Sequence, residues 1–336
     1  MIGKRDFPVS RLGPDIIAAY DPPIKMIWVE RGNPVTQNPE TNTVLEAVRS
    51  LDFRVVVEQF LTDTAREADI ILPSKTMFEQ TDVINAYWHS YIQIKQKVID
   101  PPGEVKPESE IYRMLAAKLG MTSGELPDMI PGPSDEEIEA FLALQLEGFP
   151  DITLQALKQG PVLAPGHREI AFSDHKYSTP SGKIELYSHE AKEKWGLEPL
   201  PVFTESEESA RGKSPEAQKY TLYLMTPNTK NRIHSQFNNL AMIKQVSPKP
   251  YIYINPEDAQ SRNIKNKDYV KVYNDRGFLK LEARIDFSMK TGCVSVTNGW
   301  WITEGGTVNF LSKARETDMG FGAAFHDNLV EIEKVR

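Results

Sequence analysis

Residues 24–34 read Ile-Lys-Met-Ile-Trp-Val-Glu-Arg-Gly-Asn-Pro, a short apolar run that stops in turn chemistry. Ile24 to Val29 reads as a buried strand, since so short an apolar run between turn signals suits a covered strand. Gly32, Asn33 and Pro34 close it. Thr41 to Leu51 follows as a helix with Val44, Leu45 and Val48 on one face. Phe53 to Val57 is a second buried strand. Thr62 or Asp63 caps a short helix through Glu67, and Asp69 to Pro73 is a third strand that stops at proline. Strand, helix, strand, helix, strand with short links predicts a parallel α/β sheet.

Outward from this core, the first 23 residues hold Pro8, Pro14, Pro22 and Pro23 and read as an arm or as part of a larger domain. Tyr91 to Val98 reads as one more strand, closed by Pro101-Pro102-Gly103. Ser109 to Leu119 is a helix ending at Gly120, and Ser134 to Leu146 is another, with Asp135, Glu136 and Glu137 in its first turn. Ile170 to Phe172 and Ile184 to Tyr187 read as strands around a tight turn at Thr179 to Gly182. Thr204 to Gln218 is polar and reads as a linker. Beyond Lys219 six short strands are expected, at 220–225, 251–254, 269–273, 278–285, 293–297 and 329–332, with one short helix at 256–263. That pattern predicts a closed barrel or a sandwich. The domains expected are therefore residues 1–203, a linker 204–218, and residues 219–336.

Composition narrows the chemistry. The chain has 336 residues, with 40% hydrophobic and 26% charged, the make-up of an ordinary globular protein. No run approaches the ~18 apolar residues of a membrane span, so an integral membrane protein is not expected. Met1 to Asp15 shows no apolar core of a secretory signal. A net charge of −8, from 39 basic and 47 acidic residues, argues against general nucleic-acid binding. A single cysteine, Cys293, allows no internal disulfide and no thiolate cluster. The six histidines form no close ligand pair, so no metal ligands are expected.

Three polar groups remain. The strand ends Gly32-Asn33-Pro34 and Thr62-Asp63-Thr64 lie where an open α/β sheet binds ligands, and Asp63 can accept from a guanine or a ribose. Their alternative role is turn and cap. The loop Thr226, Asn228, Lys230, Arg232, His234, Ser235, Gln236 suits a phosphorylated or heterocyclic ligand, with Arg232 pairing phosphate; its alternative is a solvated loop. Asn298, Gly299, Trp300 and Trp301, followed by Gly305 to Asn309, suit a flat ligand or a packed core. Asp275-Arg276-Gly277 reads as a hairpin turn with no chemistry attached.

Taken together, the segments PIKMIWVERGNPVTQNPE, FLTDTAREADIILPSKTMFEQTD, KVIDPPGEVKPESEIYRMLAAKLG, STPSGKIELYS, YLMTPNTKNRIHSQFNN, YIYINPEDAQSRNI, VKVYNDRGFLKLEARI, TGCVSVTNGWW and VNFLS occur in the order found in one family. The chain resembles the C-terminal portion of the molybdopterin oxidoreductases of the dimethyl-sulfoxide-reductase type. PPGE and EQTD look most like the polysulfide and thiosulfate reductase branch. The resemblance implies a partial Rossmann-like α/β domain followed by a six-stranded double-psi β-barrel. It implies a bis(molybdopterin guanine dinucleotide) cofactor with molybdenum or tungsten. It carries cofactor contacts onto Gly32, Asn33, Asp63, Thr226, Asn228, Arg232, His234, Ser235, Gln236, Asn298, Trp300, Trp301 and Asn309. It assigns no catalytic residue and no metal ligand here, and reads Cys293 as a small buried hydrophobe.

The resemblance implies that complete relatives often carry an iron–sulfur segment, and a protein ligand to the metal, that this sequence lacks. The reading is thus of a C-terminal part that is inactive alone, of an enzyme moving oxygen or sulfur atoms or electron pairs. Its partners would be the N-terminal part or a separate catalytic chain, and an electron-transfer subunit. An incomplete sheet would also promote self-association. The alternative is a non-catalytic nucleotide- or pterin-binding subunit or module of a split enzyme. Prokaryotic cytoplasm and periplasm, with membrane association through partners, stay open.

Overall fold

The apolar run after Pro23 does form a strand, and the sheet it opens is parallel. The computed structural model describes residues 5–121, 129–149, 151–168, 170–212, 214–317 and 320–335. In chain order it begins with α1 (Leu12–Ala18), β1 (Met26–Glu30), α2 (Pro34–Gln37), α3 (Thr41–Ser50), β2 (Phe53–Glu58), α4 (Asp63–Arg66) and β3 (Ile70–Pro73). The sheet order is β1-β2-β3. Asp69 N–H donates to the Arg54 carbonyl and Ser74 N–H to that of Glu58, so partners rise together along the sequence, as in parallel strands. Thr62 caps α4, its hydroxyl accepting from Ala65 N–H at 3.2 Å.

The expected arm contains α1, and this helix is packed. Ile16 buries against Ala47 and Leu51 of α3. The helices cross so closely that a Cβ on Gly13 would lie 2.9 Å from the Val44 amide nitrogen.

Compactness divides the chain otherwise than at the expected linker. One unit comprises the residues up to Val56, Leu61–Ile71, and everything from Pro201 on. The other comprises Val57–Phe60 and Leu72–Leu200. The second unit holds β4 (Asp82–Ala86), β5 (His89–Lys95), α5 (Glu108–Lys118), α6 (Asp135–Leu146), α7 (Leu154–Gln159), β6 (Val162–Leu163) and α8 (His189–Trp195). Its strands pair in the antiparallel order β4-β5-β6. The strand read at 91–98 is thus β5. A two-residue link, Tyr87-Trp88, joins it to β4, and so short a link permits only antiparallel pairing. Leu146, Ile152 and Leu157 form this unit's core with Val83, Ile92 and Ile94. Helix α6 opens on a capping box between Ser134 and Glu137.

Two expected strands do not form. Ile170 is 68% exposed and Leu186 79% exposed, and neither segment finds a ladder partner. The turn between them survives, with Gly182 N–H donating to the Thr179 carbonyl. An apolar run is only a strand when another edge accepts it.

The first unit continues with α9 (Pro215–Lys219), β7 (Leu222–Met225), α10 (Ala241–Val246), β8 (Tyr251–Ile254), α11 (Pro256–Ser261), β9 (Tyr269–Asn274), β10 (Gly277–Ile285), β11 (Cys293–Ser295) and β12 (Leu329–Lys334). All six expected strands close into one barrel, in the order β10-β8-β11-β7-β12-β9. The pairs β10–β8 and β11–β7 are parallel and the other pairs antiparallel. This is the closed mixed barrel of the double-psi expectation. Alternation fills it: Leu222, Leu224, Ile252, Ile254, Val270, Val272, Leu281 and Val294 all point inward and are buried. Cys293, one residue before inward Val294, is free and only partly buried, not the buried hydrophobe expected.

The expected linker is pinned to the barrel. Glu208 is 1% exposed and Ser209 fully buried. The Arg276 guanidinium grips both Glu208 oxygens, at 2.7 and 3.0 Å, and Leu329 N–H donates to Glu208 at 3.0 Å. Tyr223 Oη holds Ser209 Oγ and Ala210 N–H. The hairpin turn that carried no chemistry in the sequence is therefore the anchor of this segment. Lys213, within the expected linker, lies outside the described residues.

Candidate functional site

Strands β7 and β11 are parallel neighbours, so the loops after both leave the same end of the barrel. Loop 226–238 and loop 296–304 stay laced together beyond the strands. Asn298 N–H donates to the Pro227 carbonyl, and Asn298 Nδ2 to Asn228 Oδ1 at 2.7 Å. Trp301 Nε1 donates to the Ser235 carbonyl at 2.8 Å. Gly299 has φ +81°, and a Cβ there would fall 1.9 Å from the His234 carbonyl oxygen. No other residue fits that approach.

These loops border a cavity of about 640 Å³. Of the residues expected from the sequence, Thr226, Asn228, His234, Ser235, Asn298, Trp300 and Asn309 line it. Thr307, within the flagged stretch 305–309, lines it too, and Ser10, Thr36, Gln37, Asn38 and His326 line it as well and were missed. Thr36 to Asn38 sit one helical turn beyond the flagged Gly32-Asn33-Pro34, so the signal was near but displaced. Ser10 and His326 carried no local signal; His326 Nδ1 lies 3.3 Å from Thr226 Oγ1, a pairing across 100 residues. Among the described residues no Asp, Glu, Lys or Arg lines the cavity. Its polar surface is made of amides, hydroxyls and two imidazoles.

One cation stands just behind this wall. Arg232 is 5% exposed, and its guanidinium carbon lies 3.5 Å over the ring of Trp300. Nη1 reaches Asn238 Oδ1 at a long 3.4 Å, while Nε and Nη2 have no partner among the described residues. Burial pushes this guanidinium below its ordinary pKa, with Glu304 opposing. A buried, half-unpaired guanidinium is costly unless an acceptor arrives. Nε and Nη2 form the edge that takes two oxygens side by side. Ser10 Oγ, on the cavity wall and 2% exposed, is likewise without a partner.

The remaining expected residues do not face the cavity. Gln236 is exposed, and Trp301 is tied to Ser235. Gly32, Asn33 and Asp63 lie outside the lining. Asn33 and Asp63 are 3% and 4% exposed; the Asn33 amide bonds Thr36 and Thr64, and Asp63 Oδ2 accepts from Thr36 and Ile302.

Two family descriptions match the chain: "Molybdopterin oxidoreductase" over residues 8–118 and "Molydopterin dinucleotide binding domain" over residues 222–329. The chain is 34% identical, over 98% of its length, to the "Probable oxidoreductase YoaE" of Bacillus subtilis (strain 168), of which it covers 47%. It is 31% identical, over 94% of its length, to "Dimethyl sulfoxide reductase DmsA" of Escherichia coli (strain K12), of which it covers 42%. The fold matches acetylene hydratase from Pelobacter acetylenicus with a TM-score of 0.79 and 22% identity, across 99% of this chain and 47% of that one. The chain thus spans about half the length of the relatives it matches. With both descriptions matched in order and relatives aligned along nearly its whole length, the chain belongs to the molybdopterin oxidoreductase family of the dimethyl-sulfoxide-reductase type.

Proposed function

We propose that this chain is the C-terminal part of a molybdopterin-dependent oxidoreductase and cradles its molybdopterin guanine dinucleotide cofactor. The observation that carries this reading is the polar cavity lined without carboxylates, with the Arg232 guanidinium stacked face-on behind its lining residue Trp300 and Nε and Nη2 without a partner among the described residues. The residues present fit the group. Amides and hydroxyls at Thr36, Asn228, Ser235, Asn298 and Asn309 suit a polar, uncharged heterocycle, and the Arg232 cation just behind the wall, under Trp300, suits its phosphate charge. The absence of carboxylates from the described lining suits a polyanion.

When bound, the molybdenum or tungsten of that cofactor supplies the oxygen-, sulfur- or electron-pair transfer chemistry. This chain's own work is binding, orientation and exclusion of water. His234 and His326 stand at the cavity with ring nitrogens able to donate or accept a hydrogen bond. No cluster of three or more His, Cys, Asp or Glu among the described residues forms a metal site, so metal ligands would come from the cofactor or from further polypeptide. An iron–sulfur cluster and an electron-transfer subunit belong, on this reading, with the half of the relatives' length that this chain does not span. No helix among the described residues is long and apolar enough to cross a membrane. The second reading, a binding subunit of a split enzyme, is favoured by the same half-length match.

Titration with guanosine diphosphate, followed by tryptophan fluorescence, tests the cradle. We expect saturable binding that Arg232→Met weakens at least about tenfold, the loss of one charge-assisted pair. No binding, or binding indifferent to Arg232→Met, overturns it. The mass of the native polypeptide then separates the two readings: a band well above 336 residues means one long chain.

A further inference from the structure

Asn33 and Asp63 carry the nucleotide-arm positions by resemblance, yet in the structure the Asn33 amide and Asp63 Oδ2 are engaged by protein donors and acceptors. We propose that the cluster Asn33, Thr36, Asp63 and Thr64 is a positioning latch. It fixes the Trp300-Trp301-Ile302 loop against the first α/β segment, and so sets one wall of the cavity without touching the ligand.

The hydrogen bonds form two short relays that meet at Asn33. In one, Val35 N–H donates to Thr64 Oγ1 at 3.1 Å, and Thr64 Oγ1 donates to Asn33 Oδ1 at 2.7 Å. In the other, Asn33 Nδ2 donates to Thr36 Oγ1 at 3.0 Å, and Thr36 Oγ1 donates to Asp63 Oδ2 at 2.7 Å. Each threonine hydroxyl accepts once and donates once, which is its ordinary capacity. The second relay ends on the carboxylate, and Asp63 Oδ2 also accepts from Ile302 N–H at 2.7 Å. That last bond reaches the barrel's cofactor-facing loop across 239 residues. Bonds to an ionised acceptor are the strong ones, and all four cluster residues are at least nine-tenths buried.

Packing and a second tie follow the same path. Ile302 rests on the buried Val35, Val44 and Val48. Asn309, on the cavity wall, donates to the carbonyls of Thr36 and Gln37 at 2.8 and 2.9 Å. The latch thus meets the cavity only through Thr36, whose hydroxyl it has already occupied. Asp63 lies outside the cavity lining, and its Oδ2 already serves two donors. This assignment rests on the cradle reading for its purpose, though not for its existence.

Asp63→Ala and Asp63→Asn in the full chain decide it. Asparagine keeps an acceptor oxygen for Thr36 and Ile302; alanine does not. We expect the Ile302 amide to exchange hydrogen about tenfold faster in Asp63→Ala, with Val272 and Leu281 unchanged, and to be restored in Asp63→Asn. Unchanged Ile302 exchange in Asp63→Ala overturns the latch. If Asp63→Ala opens the barrel amides too, Thr36→Val, which removes only the hydroxyl, must still speed Ile302. The ratio of guanosine to inosine diphosphate affinities gives the second arm. A latch leaves that ratio unchanged in Asp63→Asn. A carboxylate reading the guanine edge loses it, and that result also overturns the latch. If the unmodified chain binds neither nucleotide, the cradle reading fails while Ile302 exchange still decides the latch.

Discussion

Two polar clusters sit in the same compact unit and look alike as sequence. One is Asn33, Thr36, Asp63 and Thr64 at the ends of parallel strands; the other is Thr226 to Gln236 after β7. Both offer amides, hydroxyls and a charge. In the first, every donor just described, the Ile302 amide included, meets an acceptor inside the cluster. In the second, a buried arginine keeps Nε and Nη2 open. Residue type at a strand end therefore does not separate structure from binding. Donor-by-donor accounting does, because a buried polar group with no partner has been kept at a cost.

The strongest way to sharpen that comparison is to create a second Arg232. Glu208→Ala would leave the largely covered Arg276 guanidinium without its bidentate partner, only Nε still donating to the Leu311 carbonyl. We expect a loss of about 3–5 kcal/mol, seen as a lower urea midpoint for barrel unfolding. An unchanged midpoint would mean that an unpaired guanidinium is cheap in this barrel, and the weight placed on Arg232 would go with it.

Next come two substitutions of opposite sign. Asn33→Ala removes the acceptor of Thr64 and the donor to Thr36, and should destabilise the ligand-free chain by about 1–3 kcal/mol. Arg232→Met removes a buried charge without its anion, and should stabilise the same ligand-free chain by about 1–2 kcal/mol while weakening nucleotide binding. Paired thermal melts check both signs. If Arg232→Met destabilises, its contact with Trp300 outweighs its desolvation, and the guanidinium is a packing element.

The same accounting explains what could be read in advance. The barrel strands were legible because inward Val, Ile and Leu alternate with polar residues from β7 to β12. Helix α6 was legible from Ser134 and its acids. Ile184 to Tyr187 misled because periodicity cannot show whether a partner edge exists. Thr204 to Gln218 misled because Glu208 is charged in sequence and buried only once Arg276, 68 residues on, closes over it. At the cavity, Trp300 and four residues of the barrel loop, Thr226, Asn228, His234 and Ser235, were legible, since one segment carries several ligand-grade groups. Ser10 and His326 were not, as each is a single ordinary residue brought in by long-range packing. Asn33 and Asp63 were found for the right residue types, and only their partners reveal how they are used.

The smallest test contrasts two arginines of the barrel unit. Arg262 has what Arg232 lacks: its Nε donates to Glu331 at 2.6 Å and its Nη2 to Thr221 Oγ1 at 2.8 Å. Burial raises the Glu331 pKa, but bonds from Arg262, the Ile332 amide and Thr221 outweigh it and hold this carboxyl below its ordinary value. A carboxyl depressed in the folded state contributes stability above its unfolded pKa of about 4.3, and loses it as pH falls through the folded value. Glu331→Gln should therefore cost under about 1 kcal/mol at neutral pH, since the pair is partly solvated, and should flatten the loss of stability below about pH 4. Arg232→Met should leave that acid limb unchanged, because no carboxylate bonds to Arg232. Denaturant midpoints at a series of acid pH values separate the two. Should Arg232→Met also flatten the limb, a carboxylate titrates against Arg232 after all. Glu304, whose charge already acts on that guanidinium, would then be the partner, and the edge left for a ligand would be closed.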